Sequence, residues 1–240
     1  MTGRADARRE ILARLRATRP APPASVPRHY VGAGPDPVGS RPPGDATRSD
    51  LSDGASADLL DTPRPALLDL LADRLTDYRA TVLGCDRDEL PAALAGLLRE
   101  ASAVVVPPGL PADWLSAYPG PIRVDEPDRP LSAADLDAPG LAVLTGCAVA
   151  IAETGTLLLD AGPDQGRRIL TLVPDHHVCV VYAQQVVAGV PEALRRLADP
   201  TRPLTLVSGP SATSDIELNR VEGVHGPRRL AVLLVGWSKR

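Results

Sequence analysis

The sequence predicts an α/β protein with a mostly parallel, doubly wound sheet and an inserted antiparallel hairpin. Three observations carry this prediction. Hydrophobic residues make up 44% of the 240 positions, yet aromatics are only 2% and Phe is absent. The core must then be built from Val, Leu, Ile and Ala, which suits buried parallel strands and Ala/Leu-rich helices. Second, apolar runs such as Leu204-Thr-Leu-Val207 and Leu230-Ala-Val-Leu-Leu-Val235 read as strands covered on both faces, and they alternate with helical segments. Third, Glu153-Thr154-Gly155 separates two short strand candidates, and Gly155 can supply the positive φ of a hairpin turn.

Ala5 to Thr18 places Ile11, Leu12 and Leu15 at helical spacing among arginines, so residues 1–19 are expected to hold an amphipathic docking helix. Residues 20–64 are dominated by Pro, Gly, Ser and Asp, and read as a mobile linker or arm with too few apolar groups to offset the entropy of ordering. The α/β domain proper is assigned to residues 65–240. Ala66–Tyr78 and Asp88–Ala101 read as helices, Arg79–Leu83 and Ala103–Val106 as strands. Ile122–Asp125 follows as a further strand, then a short helix within Ser132–Asp137. Leu141–Leu144, Val149–Ala152, Thr156–Asp160, Val178–Ala183, Leu204–Val207 and Leu230–Val235 complete the strands, with a helix over Val190–Ala198.

The formal charge of −4 gives no footprint for general nucleic-acid binding, which needs a concentrated basic face. No apolar run reaches the length of a membrane span and no signal-peptide core is present, so the expected location is the cytoplasm. Cys85, Cys147 and Cys179 are far apart, with no CxxC pair and no ferredoxin spacing. The simplest reading is three reduced thiols and no metal, cluster or other cofactor.

Three segments carry potential chemistry. Ser208-Gly209-Pro-Ser211-Ala-Thr213 leaves the end of an apolar strand, where ligands bind in open α/β sheets. Gly209 lets the backbone approach a ligand, and the hydroxyls of Ser208, Ser211 and Thr213 can donate. Ser214 and Glu217 form a capping box, so a helix should start near Asp215 and aim free N–H groups at an anion. The alternative is a Gly/Ser turn that merely starts a helix. His225, between two glycines before the last strand, is either a general acid/base or a turn residue bonding backbone.

The second segment is Glu153-Thr154-Gly155-Thr156 followed by Gly166-Arg167-Arg168. Either arginine can fork a carboxylate or phosphate, an interaction worth roughly 1.5–3 kcal/mol. Glu153 at a hairpin tip is an acid/base candidate or a solvated carboxylate. The third is His176-His177, whose side chains should point to opposite faces of a strand, which argues against one shared metal. The serine loop, the hairpin tip and the arginines are expected to meet in one cleft, with Arg167 near the surface and of little weight in folding.

Residues 145–182 and 207–228 resemble the two signature blocks of the LUD domain: an Ala-Glu-Thr-Gly-Thr hairpin, a Gly-Arg before a Pro-x-x-His strand, and Ser-Gly-Pro-Ser…Asp-Ile-Glu…Val-His-Gly-Pro. Within that group the chain is most similar to the lactate-utilisation protein C family, not to protein B with its ferredoxin-like cysteine clusters. The resemblance implies a fold like that of the CoA-transferase and ribose-phosphate-isomerase group. It also implies a cluster-free subunit supporting oxidation of L-lactate to pyruvate beside iron–sulfur proteins of the A and B types. A small carboxylate or phosphate is the expected ligand. Two other functions compete. One is a CoA-transferase-like or isomerase enzyme using Glu153 as nucleophile, and the other is a regulatory module that only binds a ligand.

Overall fold

A computed structural model describes residue 14 and residues 62–199, 201–213, 221–222 and 226–238. The expected helix over residues 1–19 and nearly all of the 20–64 arm lie outside the described residues. The first helix, α1 (Arg64–Asp77), follows Pro63, and its buried Leu67, Leu68, Leu71, Ala72 and Leu75 recur at helical spacing. It ends in a backbone device usually built on glycine. The Arg79 N–H donates to Thr76 O at 2.8 Å, the Ala80 N–H donates to Leu75 O at 2.9 Å, and Arg79 sits at φ 69°.

The chain then alternates as the sequence predicts. Strand β1 (Thr81–Cys85) leads through a short 3-10 turn to α2 (Leu90–Leu98), β2 (Ala103–Val106) and β3 (Ile122–Val124). A four-residue helix α3 (Ala133–Leu136) is opened by Ser132, whose hydroxyl accepts from the Asp135 N–H. Then come β4 (Leu141–Thr145), β5 (Val149–Ile151), β6 (Thr156–Leu159), β7 (His176–Tyr182), β8 (Val186–Val187), α4 (Val190–Arg196) and β9 (Thr205–Val207). A short ladder of β10 (Ala212–Thr213) with β11 (Val221–Glu222) precedes the last strand, β12 (Arg229–Val235).

Six strands form one sheet in the order β1-β12-β7-β4-β2-β3, and every pairing within it is parallel. Its central strands are all but fully buried, as their unbroken apolar runs require. Alternate side chains feed two cores. Leu230, Val232 and Leu234 face α1 and the second sheet, whereas Ala231, Leu233 and Val235 face α2 and Trp114. The sheet is therefore covered on both sides.

The hairpin is real, but it is part of a separate four-stranded sheet, β8-β5-β6-β9. Here β9 pairs antiparallel with β6, Leu158 opposite Leu206, so the Leu204–Val207 strand does not join the parallel sheet as the sequence reading implied. The argument that Ser208 leaves a parallel strand's ligand-binding end falls with it. Local apolarity cannot tell which of two sheets a three-residue strand enters.

Candidate functional site

The parallel sheet has two edges, and α1 spans between them. Its N-terminal half is tied to the strands' C-terminal ends: Arg64 Nη1 donates to Ala183 O at 2.9 Å, and Trp237 Nε1 donates to Asp69 Oδ1 at 2.7 Å. Its C-terminal end, Tyr78 and Arg79, therefore lies where the parallel strands begin, and there the two signature blocks meet. Thr154 Oγ1 and Thr156 Oγ1 are 2.7 Å apart, and Thr156 Oγ1 lies 2.8 Å from Ser208 Oγ, a chain of three hydroxyls across 54 residues of sequence. Gly155 (φ 60°) and Gly209 (φ 96°) press this unit onto α1. A Cβ on Gly155 would stand 2.7 Å from Arg74 Cβ, and one on Gly209 2.6 Å from Tyr78 Cβ. Glu153 is half-buried and anchors its backbone N–H to Ala188 O at 3.1 Å. The Ser211 N–H donates to Pro227 O at 2.8 Å, joining the serine loop to the residues that start β12.

Gly166, Arg167 and Arg168 are elsewhere. The loop after β6 folds over the C-terminal ends of the parallel strands, where the Gly146 N–H donates to Asp164 O and the Gly109 N–H to Pro163 O. Gly166 (φ 69°) packs against Pro107, and the exposed Arg168 opens a 3-10 turn. Arg167 forks the buried Asp125 carboxylate and donates a further bond, 2.8 Å, to Leu131 O. The expected single cleft therefore does not form. The serine loop joins the hairpin tip, but β6, about 10 Å long at 3.3 Å per residue, leads away from that tip to the arginine loop.

His176 and His177 lie within β7 and point to opposite faces, as their adjacency requires. His177 is fully buried, its Nε2 2.8 Å from Thr145 Oγ1, while its Nδ1 has no hydrogen-bond partner among the described residues. Burial first, and then the neighbouring His176, hold its pKa down to about 3, so the ring is neutral. Cys147 and Cys179 sit side by side in the same core, and burial pushes the Cys147 thiol well above its ordinary range, which leaves it unreactive. Among the described residues no three His, Cys, Asp or Glu side chains are grouped to hold a metal, and no helix is long and apolar enough to cross a membrane.

One feature of the strand-entry edge was not legible in the sequence. Arg79, Arg99, Arg228 and Arg229 line an open cleft of about 360 Å³ together with Glu100 and His176. These residues come from four separate segments, and only the Arg228-Arg229 pair, directly after the second signature block, hinted at it. Asp215, Glu217 and His225 lie outside the described residues, and Thr213 is described as part of the β10 backbone.

A fully parallel six-stranded sheet, a small mixed sheet on one face and a signature hairpin bonded to a serine loop define a LUD-domain α/β protein, and the LUD domain family matches residues 138–235. A relative from Deinococcus radiodurans named lactate utilization protein C is 53% identical over 176 residues, covering 72% of this chain and 81% of that protein. A lactate utilization protein C from Exiguobacterium is 33% identical over 93 residues, 36% of this chain and 40% of the relative. The crystal structure of a DUF162 family protein from Deinococcus radiodurans superposes with a TM-score of 0.62 at 44% identity, over 73% of this chain and 99% of that one. The chain belongs to the lactate utilization protein C family.

Proposed function

We propose that this protein works in lactate utilisation, as a component without a cluster of its own that supports the oxidation of L-lactate to pyruvate beside A-type and B-type iron–sulfur proteins. The observation that carries the reading is the 53% identity to a lactate utilization protein C over most of both chains. The oxidation removes two electrons and two protons from the lactate carbinol, and in this reading the partners' clusters take the electrons. This chain's three buried thiols, of which Cys147 and Cys179 adjoin while Cys85 lies in the other core, suit a supporting role, since cluster ligation needs several thiolates at close spacing.

The same reading includes a small carboxylate or phosphate bound at the edge where Ser208 meets Thr156. Three hydroxyls and a tightly packed glycine turn supply donors there. Glu153, half-buried beside them, is the candidate for moving a proton. Purification of the tagged chain from lactate-grown cells tests the partnership. Two iron–sulfur polypeptides are expected to come with it, and recovery of the chain alone from such cells would overturn that part.

A further inference from the structure

We propose that the arginine-lined cleft at the start of the parallel strands binds a small anion carrying two or more negative charges, of the phosphate or polycarboxylate type. This deepens the anion-binding part of the function proposed above: it names the charge class and moves the cationic contacts from Arg167 to Arg79, Arg99, Arg228 and Arg229. The first support is convergence. Arg79 follows α1, Arg99 follows the last residue of α2, Arg228 precedes β12 and Arg229 opens it, and all four line one cleft of about 360 Å³. That volume is within the range of small-molecule sites, roughly 300–1,000 Å³.

The second support is charge. Four arginines line the cleft against one lining carboxylate, Glu100, and Arg228 also pairs with Asp175 at 2.5 Å, so among the described residues the arginines outnumber these two carboxylates by 4 − 2 = 2. His176 adds none at neutral pH, because burial and then Arg229 hold its pKa at about 4. The C-terminal ends of α1 and α2 each contribute about half a negative charge, which reduces the surplus without cancelling it. An anion with two or more charges can take forked bonds from several of these arginines at once, which the single carboxylate of lactate cannot.

The ion pairs with Glu100 do not lock Arg99 and Arg229. Arg99 and Arg229 reach Glu100 only at 3.5 and 3.9 Å, with side chains 76% and 48% exposed. Pairs of that kind contribute little, and an incoming oxyanion can replace them with forked bonds.

The third support is backbone strain. Arg79 holds φ 69° at the position after α1 where glycine is the usual residue. An L side chain in that conformation is strained, and strain of this kind gathers at functional sites. Asparagine or glycine would satisfy the same turn, so the turn alone does not account for a guanidinium there.

The serine loop is tied to the neighbours of two lining arginines: Gly209 rests on Tyr78, next to Arg79, and the Ser211 N–H donates to the carbonyl of Pro227, next to Arg228. The cleft itself opens on the α2 side of the sheet, lined by Gly96 and Leu97.

Isothermal titration of the full chain with inorganic pyrophosphate, citrate and L-lactate at low salt tests the proposal. Pyrophosphate is expected to bind and L-lactate not to. Citrate binding as well would extend the ligand class to polycarboxylates, and its failure would restrict the class to phosphates. Arg79→Asn with Arg229→Gln, which keeps the turn and the strand, should weaken pyrophosphate at least tenfold. Glu100→Gln, which removes the competing carboxylate, should tighten it several-fold, an effect that misfolding cannot mimic. Absence of pyrophosphate binding to the wild-type chain, or binding untouched by all three substitutions, would overturn the cleft. Neither result bears on the role in lactate utilisation, which is read separately from growth.

Discussion

Arg167 and Asp125, 42 residues apart in sequence, form a two-pronged ion pair with Nε at 2.8 Å and Nη2 at 2.6 Å from the two carboxylate oxygens. The Asp125 side chain is 2% exposed, and its Oδ1 also accepts from the Leu131 N–H at 2.9 Å. Burial alone would raise the Asp125 pKa, but the Arg167 fork and the Leu131 bond outweigh it and hold the carboxyl below its ordinary range. The pair clamps the loop after β6 over the ends of β2 and β3. An arginine read from sequence as a surface anion ligand is instead a loop fastener.

Arg167→Ala is therefore expected to destabilise the protein by about 2–3 kcal/mol. This is below the 3–5 kcal/mol of a fully buried pair, because the guanidinium is partly solvated and the Leu131 bond remains. Urea unfolding measures it. A loss under 0.5 kcal/mol, the ordinary range for a surface charge, would restore the surface reading. Arg167→Lys should recover only part of the loss, since an ammonium cannot fork the carboxylate.

His177 makes folding stability sensitive to mild acid. Its folded pKa of about 3 lies far below the unfolded value of about 6.5, so the unfolded chain binds more protons through that window. Stability from this ring is complete above pH 6.5 and is lost as the pH falls. About 1 kcal/mol should disappear between pH 7 and 5.5 on account of His177, with His176, held near 4, adding to it. His177→Asn should flatten this slope in urea midpoints measured across the range. An unchanged slope would mean that His177 is not the buried neutral ring described.

Gly155 and Gly209 fix the hairpin and the serine loop against α1. Alanine at either must adopt positive φ and push against backbone or Cβ atoms of Arg74 or Tyr78. Each substitution is expected to cost about 1–3 kcal/mol and lower the thermal midpoint by several degrees. The Gly96→Ala control, at a helical glycine whose new Cβ would meet nothing within 4 Å, should be neutral or mildly stabilising.

Most elements of the parallel sheet were legible as short apolar runs, although β1 begins two residues later and β7 two residues earlier than their sequence readings. Ala103–Val106 matches its expected bounds, and Ser132 caps α3 inside the stretch expected to hold a short helix. The Thr156–Ser208 bond was partly legible, since both signature blocks were singled out and expected to adjoin. The sheet to which β9 belongs was not, because antiparallel pairing with β6 depends on the whole chain's path. The arginine cleft was hidden for a related reason. Arg79, Arg99 and Arg229 share no spacing, and only the common starting edge of β1, β12 and β7 gathers them.

The most direct test of the account is growth of the host on L-lactate as sole carbon source after deletion of the gene for this chain. The account predicts that growth on L-lactate is lost while growth on pyruvate is normal, and that the wild-type chain restores it. Ser208→Ala, which removes one hydroxyl bond worth about 1 kcal/mol and so should still fold, is predicted to restore growth poorly. Undiminished growth of the deletion strain on L-lactate would contradict the assignment to lactate utilisation.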